Sequence, residues 1–113
     1  KRGFFIKMVI NNFLIRLKVM ISKAEYKIPK GKLVKIHLEY DEKEKKIINL
    51  SIMGDFFAYP TESIEILEKE LVGTRLEKKN LFEKIDKLIK QKNFEFIGLN
   101  PEGLSEGIMR CLN

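Results

Sequence analysis

The sequence predicts an α+β domain, a small antiparallel sheet of about three strands packed with about three helices into one sandwich. Three observations carry that expectation. Apolar residues alternate with period two through residues 34–52, helical periodicity takes over after Pro60, and strands therefore precede helices instead of alternating with them. A chain of 113 residues has room for one compact domain with its own core and not for two.

The central strand is the clearest element. Val34, Ile36, Leu38 and Tyr40 alternate with Lys35, His37 and Glu39, as a half-buried strand requires. Asp41 to Lys46 (DEKEKK) has nothing to bury and reads as a solvated connection. Ile48, Leu50 and Ile52 then alternate with Asn49 and Ser51, so the two runs form an antiparallel hairpin. Ahead of it, Glu25 to Ile28 supply a third strand, ended by Pro29 and turned at Gly31.

Helices follow. Pro60 suits a first helical turn, Glu62 favours its positive end, and Gly73 suits the position after its C-terminus. Between them Ile64, Leu67 and Leu71 share a face. A second helix carries Phe82, Ile85 and Ile89 on one stripe with Leu81 and Leu88 beside it. Phe94 to Ile97 is a short strand, and Asn100–Pro101 starts a last helix with Leu104, Ile108 and Cys111 at i, i+4 and i+7.

The chain divides at residue 21. Residues 1–21 are apolar and basic, residues 22–113 are the domain proper. Phe4 to Ile21 is broken by Lys7, Asn11, Asn12, Arg16 and Lys18, whereas a spanning helix needs about 20 nearly uninterrupted apolar residues. It also lacks the unbroken apolar run of about 7–15 residues of a secretory signal. As a surface helix its polar residues do not collect on one face, so no membrane partner is expected. An extra strand or an amphipathic helix packed on the domain remain open, as does a natural start at Met20 or Met8.

Composition narrows the chemistry. A hydrophobic fraction of 44% with 34% charged residues marks a folded protein. The lone Cys111 permits no internal disulfide and suits a reducing, cytoplasmic setting. With one histidine and one cysteine, no metal site is expected. The net charge of +6 is concentrated: five of the 22 basic residues lie in 1–21 without an acidic one, leaving 17 basic against 16 acidic groups. That balance argues against a nucleic-acid partner.

No catalytic residue is expected either. There is no glycine-rich phosphate loop, His37 lies on the solvent side of a strand between Lys35 and Glu39, and Cys111 sits on an apolar stripe. One segment departs from ordinary connections. Gly54-Asp55-Phe56-Phe57-Ala58-Tyr59-Pro60 joins strand to helix with three aromatics in four positions. Such rings either plug the core or anchor a partner, and neighbouring side chains can do both.

With Tyr26-Lys27-Ile28-Pro29-Lys30-Gly31-Lys32-Leu33 ahead of it, and Ile97-Gly98-Leu99-Asn100-Pro101-Glu102 behind, this corner resembles the C-terminal domain of lipoate–protein ligases. The motifs KxPxGKL, GDFFxYP and GxxPE carry the resemblance, which covers about residues 24–112. It implies a fold shared with small SufE/NifU-like iron–sulfur scaffold proteins. No catalytic domain precedes the motifs, so the resemblance implies the archaeal-type arrangement of separate chains. This chain is then the accessory subunit of a heterodimer, not active alone and binding no cofactor. Lipoate, ATP and Mg are expected in the catalytic subunit, where lipoyl-adenylate forms before transfer to a lysine of an acceptor domain.

The expected docking surface comprises Lys30, Gly31, Lys32, Asp55, Phe56, Phe57, Tyr59 and Pro60. Lys30 or Lys32 either bring positive charge near the phosphates or belong to a solvated turn. Two alternatives differ in class: a scaffold or carrier of the iron–sulfur type, which needs exposed cysteines, and a basic nucleic-acid-binding module, whose affinity would fall steeply with salt.

Overall fold

The computed structural model describes residues 2–112 and builds six strands and three helices from them. Strands β1 (Arg2–Ile10), β2 (Phe13–Lys27), β3 (Leu33–Asp41) and β4 (Lys46–Gly54) form an antiparallel sheet in chain order. Then come β5 (Phe57–Tyr59), α1 (Ser63–Glu70), α2 (Lys78–Lys92), β6 (Glu95–Ile97) and α3 (Pro101–Arg110). β5 and β6 pair as a separate two-stranded ribbon. The α+β class holds, with four strands in the main sheet instead of three.

The core lies on one face of β3. Val34, Ile36, Leu38 and Tyr40 are at most 1% exposed, while the residues between them face away. α3 lies across β2 and β3, α1 across β4, and α2 packs on α3. The helices bring Leu67, Leu71, Leu81, Ile85, Leu104 and Ile108 into the same cluster. Burying each such side chain contributes on the order of 1.5–3 kcal/mol, so the facing periodicities of 2 and 3.6 dominate the stability.

Three sequence expectations shift by a residue or two. In β4 the alternation breaks at Ile48, because Glu39 pairs with Asn49 but Tyr40 with Ile47. Ile48 is the extra residue of this bulge and faces out, while Ile47 takes the inward place. In α2 the buried stripe is Leu81–Ile85–Leu88, with Phe82 exposed and Ile89 half-buried at its margins. α1 begins at Ser63 with Glu62 as its N-cap, and Pro60 lies in the preceding turn after a cis peptide bond. α3 begins where expected: Asn100 Oδ1 accepts from Gly103 N at 2.6 Å, with Pro101 at the first helical position.

Of the two readings left open for the N-terminal segment the strand holds, though only its last residues pack on the domain, with Val19 2% exposed and Met20 against the core. Residues 2–21 are β1 and the first part of β2, a hairpin turned at Asn11 and Asn12 with φ of 50° and 66°. Positive φ at both positions is the type I′ turn, which matches the twist of the paired strands. Every residue of β1 is exposed, so the hairpin projects as an arm. It stretches the molecule to 47 Å and gives a radius of gyration of 14.8 Å, against about 13 Å for a compact chain of this length. Lys1 lies outside the described residues.

The two ends of the sheet differ. The β4 edge is covered, with Gly73 N donating to Ile47 O at 2.7 Å and Leu76 N to Lys45 O at 2.7 Å. Farther along, Ile52 N donates to Glu68 Oε2 at 2.6 Å. Burial pushes the Glu68 carboxyl up, against the lowering effect of that amide. The β1 edge is the other end of the sheet, and no described strand pairs with it.

A charged clamp ties α2 to α3. Lys78 Nζ lies 2.6 Å from Glu102 Oε1 and 3.0 Å from Glu106 Oε1, and Arg110 Nε donates to Glu106 Oε2 at 3.0 Å. Hydrogen bonds from Lys78 and Arg110 hold the Glu106 carboxyl below its ordinary range. Its stabilising contribution is therefore present above the unfolded carboxylate pKa of about 4.3 and is lost as pH falls through the lower folded value. Glu68 acts with the opposite sign, so the difference between variants is the informative quantity. Glu106→Gln should cost about 0.5 kcal/mol at neutral pH and flatten the acid limb of a urea stability profile. An acid limb identical to wild type would mean that the clamp contributes nothing.

Candidate partner-binding surface

Three stretches of chain meet where β2, β4 and β6 end. After β2, Gly31 N donates to Ile28 O at 2.8 Å and Ile28 N to Lys32 O at 3.1 Å, closing a turn with Lys30 at φ 60°. The turn is joined to the far end of the chain, since Lys32 N donates to Gly98 O at 2.9 Å. A Cβ on Gly31 would sit 2.8 Å from that same oxygen, so only glycine permits the approach. On the other side, Asp55 N donates to Leu33 O at 3.3 Å, and a Cβ on Gly54 would collide with the Leu33 oxygen. The Lys32 side chain runs along Gly98, where a Cβ would lie 2.5 Å from its Cγ.

These contacts decide which way the aromatics point. Phe56 is half-buried and packs against the core, its ring over Gly54. β5 and β6 then pair Phe57 with Ile97, Ala58 with Phe96 and Tyr59 with Glu95. Phe96 packs against the core, its ring centroid 6.1 Å from that of Phe94. Because strand residues alternate, Phe57, Tyr59 and Ile97 take the opposite face, and each is 67% exposed. The corner therefore divides by residue: Phe56 packs inward, while Phe57 and Tyr59 face outward.

The structure thus gathers Gly31, Lys32, Asp55 and Phe56 around Leu33 and Gly98, with Phe57 and Tyr59 on the adjoining ribbon. Lys30 stands exposed in the turn, and Pro60 begins the turn into α1, its oxygen accepting from Ser63 N at 2.9 Å. Among the described residues, Lys30, Lys32 and Asp55 make no ion pair. Ile97 was not anticipated as a surface residue. Its signal was the alternation of Phe94 and Phe96 with Glu95 and Ile97, which sends the last of these outward.

Other candidate chemistry lies elsewhere. His37 is exposed on the outer sheet face between Lys23 and Ser51. The Cys111 thiol is buried and directed at Ile36 O and Gly107 O. Among the described residues no three His, Cys, Asp or Glu side chains are placed to hold a metal ion, and no helix is long and apolar enough to cross a membrane.

The profile of the protein family described as bacterial lipoate protein ligase C-terminus matches residues 22–108, which include the turn, the corner and β6. The chain belongs to the lipoate–protein ligase C-terminal family. A solved structure agrees, from a structural analysis of an archaeal lipoylation system, a bi-partite lipoate protein ligase and its E2 lipoyl domain from Thermoplasma acidophilum. A chain of that structure is 27% identical to this one, with a TM-score of 0.68 over 80% of this chain and 96% of that one. The matched chain is therefore itself small. No curated protein matches. The family range begins at residue 22 and so leaves out β1 and the first part of β2.

The family corner makes a direct prediction about stability. Phe56→Ala should cost about 2–4 kcal/mol in urea denaturation, because it empties a packed position. Phe57→Ala and Tyr59→Ala should each stay within about 0.5 kcal/mol of wild type. The reverse order would show that the rings are assigned to the wrong faces.

Proposed function

We propose that this family module is the accessory subunit of a two-chain lipoate–protein ligase, docking on the catalytic subunit and enabling lipoate activation there. The observation that carries the reading is the outward set of Phe57, Tyr59 and Ile97, rigidly mounted within the family-matched range and flanked by Lys32. Aromatic anchors on a stiff mount are what a specific protein contact uses, since little conformational freedom remains to be lost on binding. The small chain of the bi-partite Thermoplasma structure supports the separation into two polypeptides.

The chemistry then belongs to the partner, which holds lipoate, ATP and Mg. In the first step the lipoate carboxylate attacks the α-phosphorus of ATP and pyrophosphate leaves. In the second the ε-amine of an acceptor lysine attacks the mixed anhydride and AMP leaves. The first step needs an in-line approach with water excluded, and a docked rigid module supplies this by ordering the partner's loops. Lys30 and Lys32 add positive potential at the seam without touching the reacting atoms. The reaction is cytoplasmic, where ATP is abundant and Cys111 stays reduced. The carrier reading loses support because the Cys111 thiol it would need is buried.

Mixing the chain with its catalytic subunit should raise the rate of lipoyl-adenylate formation, measured as lipoate-dependent pyrophosphate release. Phe57→Ala with Ile97→Ala should weaken the complex by about 2 kcal/mol or more, some thirtyfold in Kd, and lower that rate at limiting concentration. A catalytic subunit equally fast without this chain, or a double variant that binds like wild type, would overturn the proposal.

A further inference from the structure

The β1–β2 arm carries an apolar surface that the family module does not use. Cross-strand partners share a face, so the register sorts its side chains. Phe4 pairs with Val19, Ile6 with Leu17, Met8 with Ile15 and Ile10 with Phe13, a stretch without charge that ends at Arg2 opposite Ile21, where the arm joins the sheet. The other face holds Lys7, Arg16 and Lys18, paired with Arg16, Lys7 and Phe5. The Arg16 guanidinium lies 4.1 Å from the centre of the Phe5 ring. On the apolar face Phe4, Ile6, Met8, Ile10, Phe13 and Ile15 remain 38% to 73% exposed.

We infer that two copies of this chain pack arm against arm through these faces, forming a two-fold symmetric dimer. Area is the first argument. A large side chain spans on the order of 150 Å² or more, so these residues with Ile21 expose about 500 Å². Two arms meeting then bury up to about 1,000 Å², the threshold for a specific interface, and an apolar patch of about 500 Å² is of the size that is often functional on a monomer. Self-complementarity is the second. A two-fold contact sets a surface against its own copy, which the charge-free stretch from the Phe4–Val19 pair to the turn tolerates and a charged one does not.

Charge placement is the third argument, and it favours a protein copy over a lipid surface. A membrane-bound ribbon would turn its lysines and arginines toward anionic headgroups. Here Lys7, Arg16 and Lys18 project from the opposite face, with Arg16 and Lys18 lining a cleft with Asp41, Glu42 and Glu44, and only Arg2 stands at the sheet end of the apolar one. In the dimer these basic faces stay in water on the two outer sides. The arm also lies outside residues 22–108, so its contact is additional to any that the family shares.

Sedimentation equilibrium of the full chain at micromolar concentration should show a monomer–dimer equilibrium that added salt leaves intact. Ile6→Lys with Ile15→Lys should weaken the dimer by at least about tenfold, with the circular dichroism of the domain unchanged because neither residue belongs to the core. Val9→Lys, on the basic face, should dimerise like wild type. A strictly monomeric wild type, an open-ended aggregate, or equal loss in all variants would overturn the inference. So would a wild type that stays monomeric in solution but sediments with vesicles containing anionic phospholipid.

Discussion

Two backbone hydrogen bonds govern the end of the molecule where β2, β4 and β6 finish: Lys32 N to Gly98 O and Asp55 N to Leu33 O. Together they hold the exits of β2, β4 and β6 within a few ångströms of one another. Each is made possible by a glycine at the point of closest approach, Gly31 against Gly98 O and Gly54 against Leu33 O. Once they form, the corner has little choice. Phe56 must turn to the core, and the pairing of β5 with β6 sends Phe57, Tyr59 and Ile97 outward. The patch is therefore not a loop awaiting order but a mounted surface, whose presentation cost was met when the domain folded.

The accessory role proposed above would draw on this mounted surface. The ionisable groups with displaced pKa values, Glu68, Lys78 and Glu106, serve an edge strand and a helix clamp rather than a cleft. Perturbed groups at a catalytic centre would be gathered around a reacting atom. The β4 edge of the sheet is covered by residues 73–76 and Glu68, while the β1 arm offers an apolar face of its own. The two surfaces sit on different elements, so each can be occupied without the other.

Much of this was legible in the sequence, and the exceptions have physical causes. The inward face of β3 and the start of α3 at Asn100 followed from alternation and capping, which are local properties. Ile48 was misplaced because a bulge depends on the partner strand, where Tyr40 skips a residue to meet Ile47. Phe82 was placed on the α2 core stripe because it is large and apolar, but packing on α3 selected Leu81, Ile85 and Leu88. For the arm a strand was one of two open readings, but the hairpin and its projection from the domain were missed although their signal was present. Asn11–Asn12 between two apolar runs is a hairpin turn, but lysines and arginines on one face made the run resemble an interrupted helix. The corner's motifs identified its family, yet only the β5–β6 register could say which ring points where.

The claim most exposed to experiment is that the partner meets the β5–β6 ribbon and the Lys30–Lys32 turn. Nuclear magnetic resonance on isotopically labelled chain, titrated with unlabelled catalytic subunit, reads this residue by residue. The account requires the largest amide and methyl perturbations at Lys32, Phe57, Tyr59, Ile97 and Gly98, with the outer sheet face around His37 unmoved. Perturbations confined to the arm or to that outer face would contradict it.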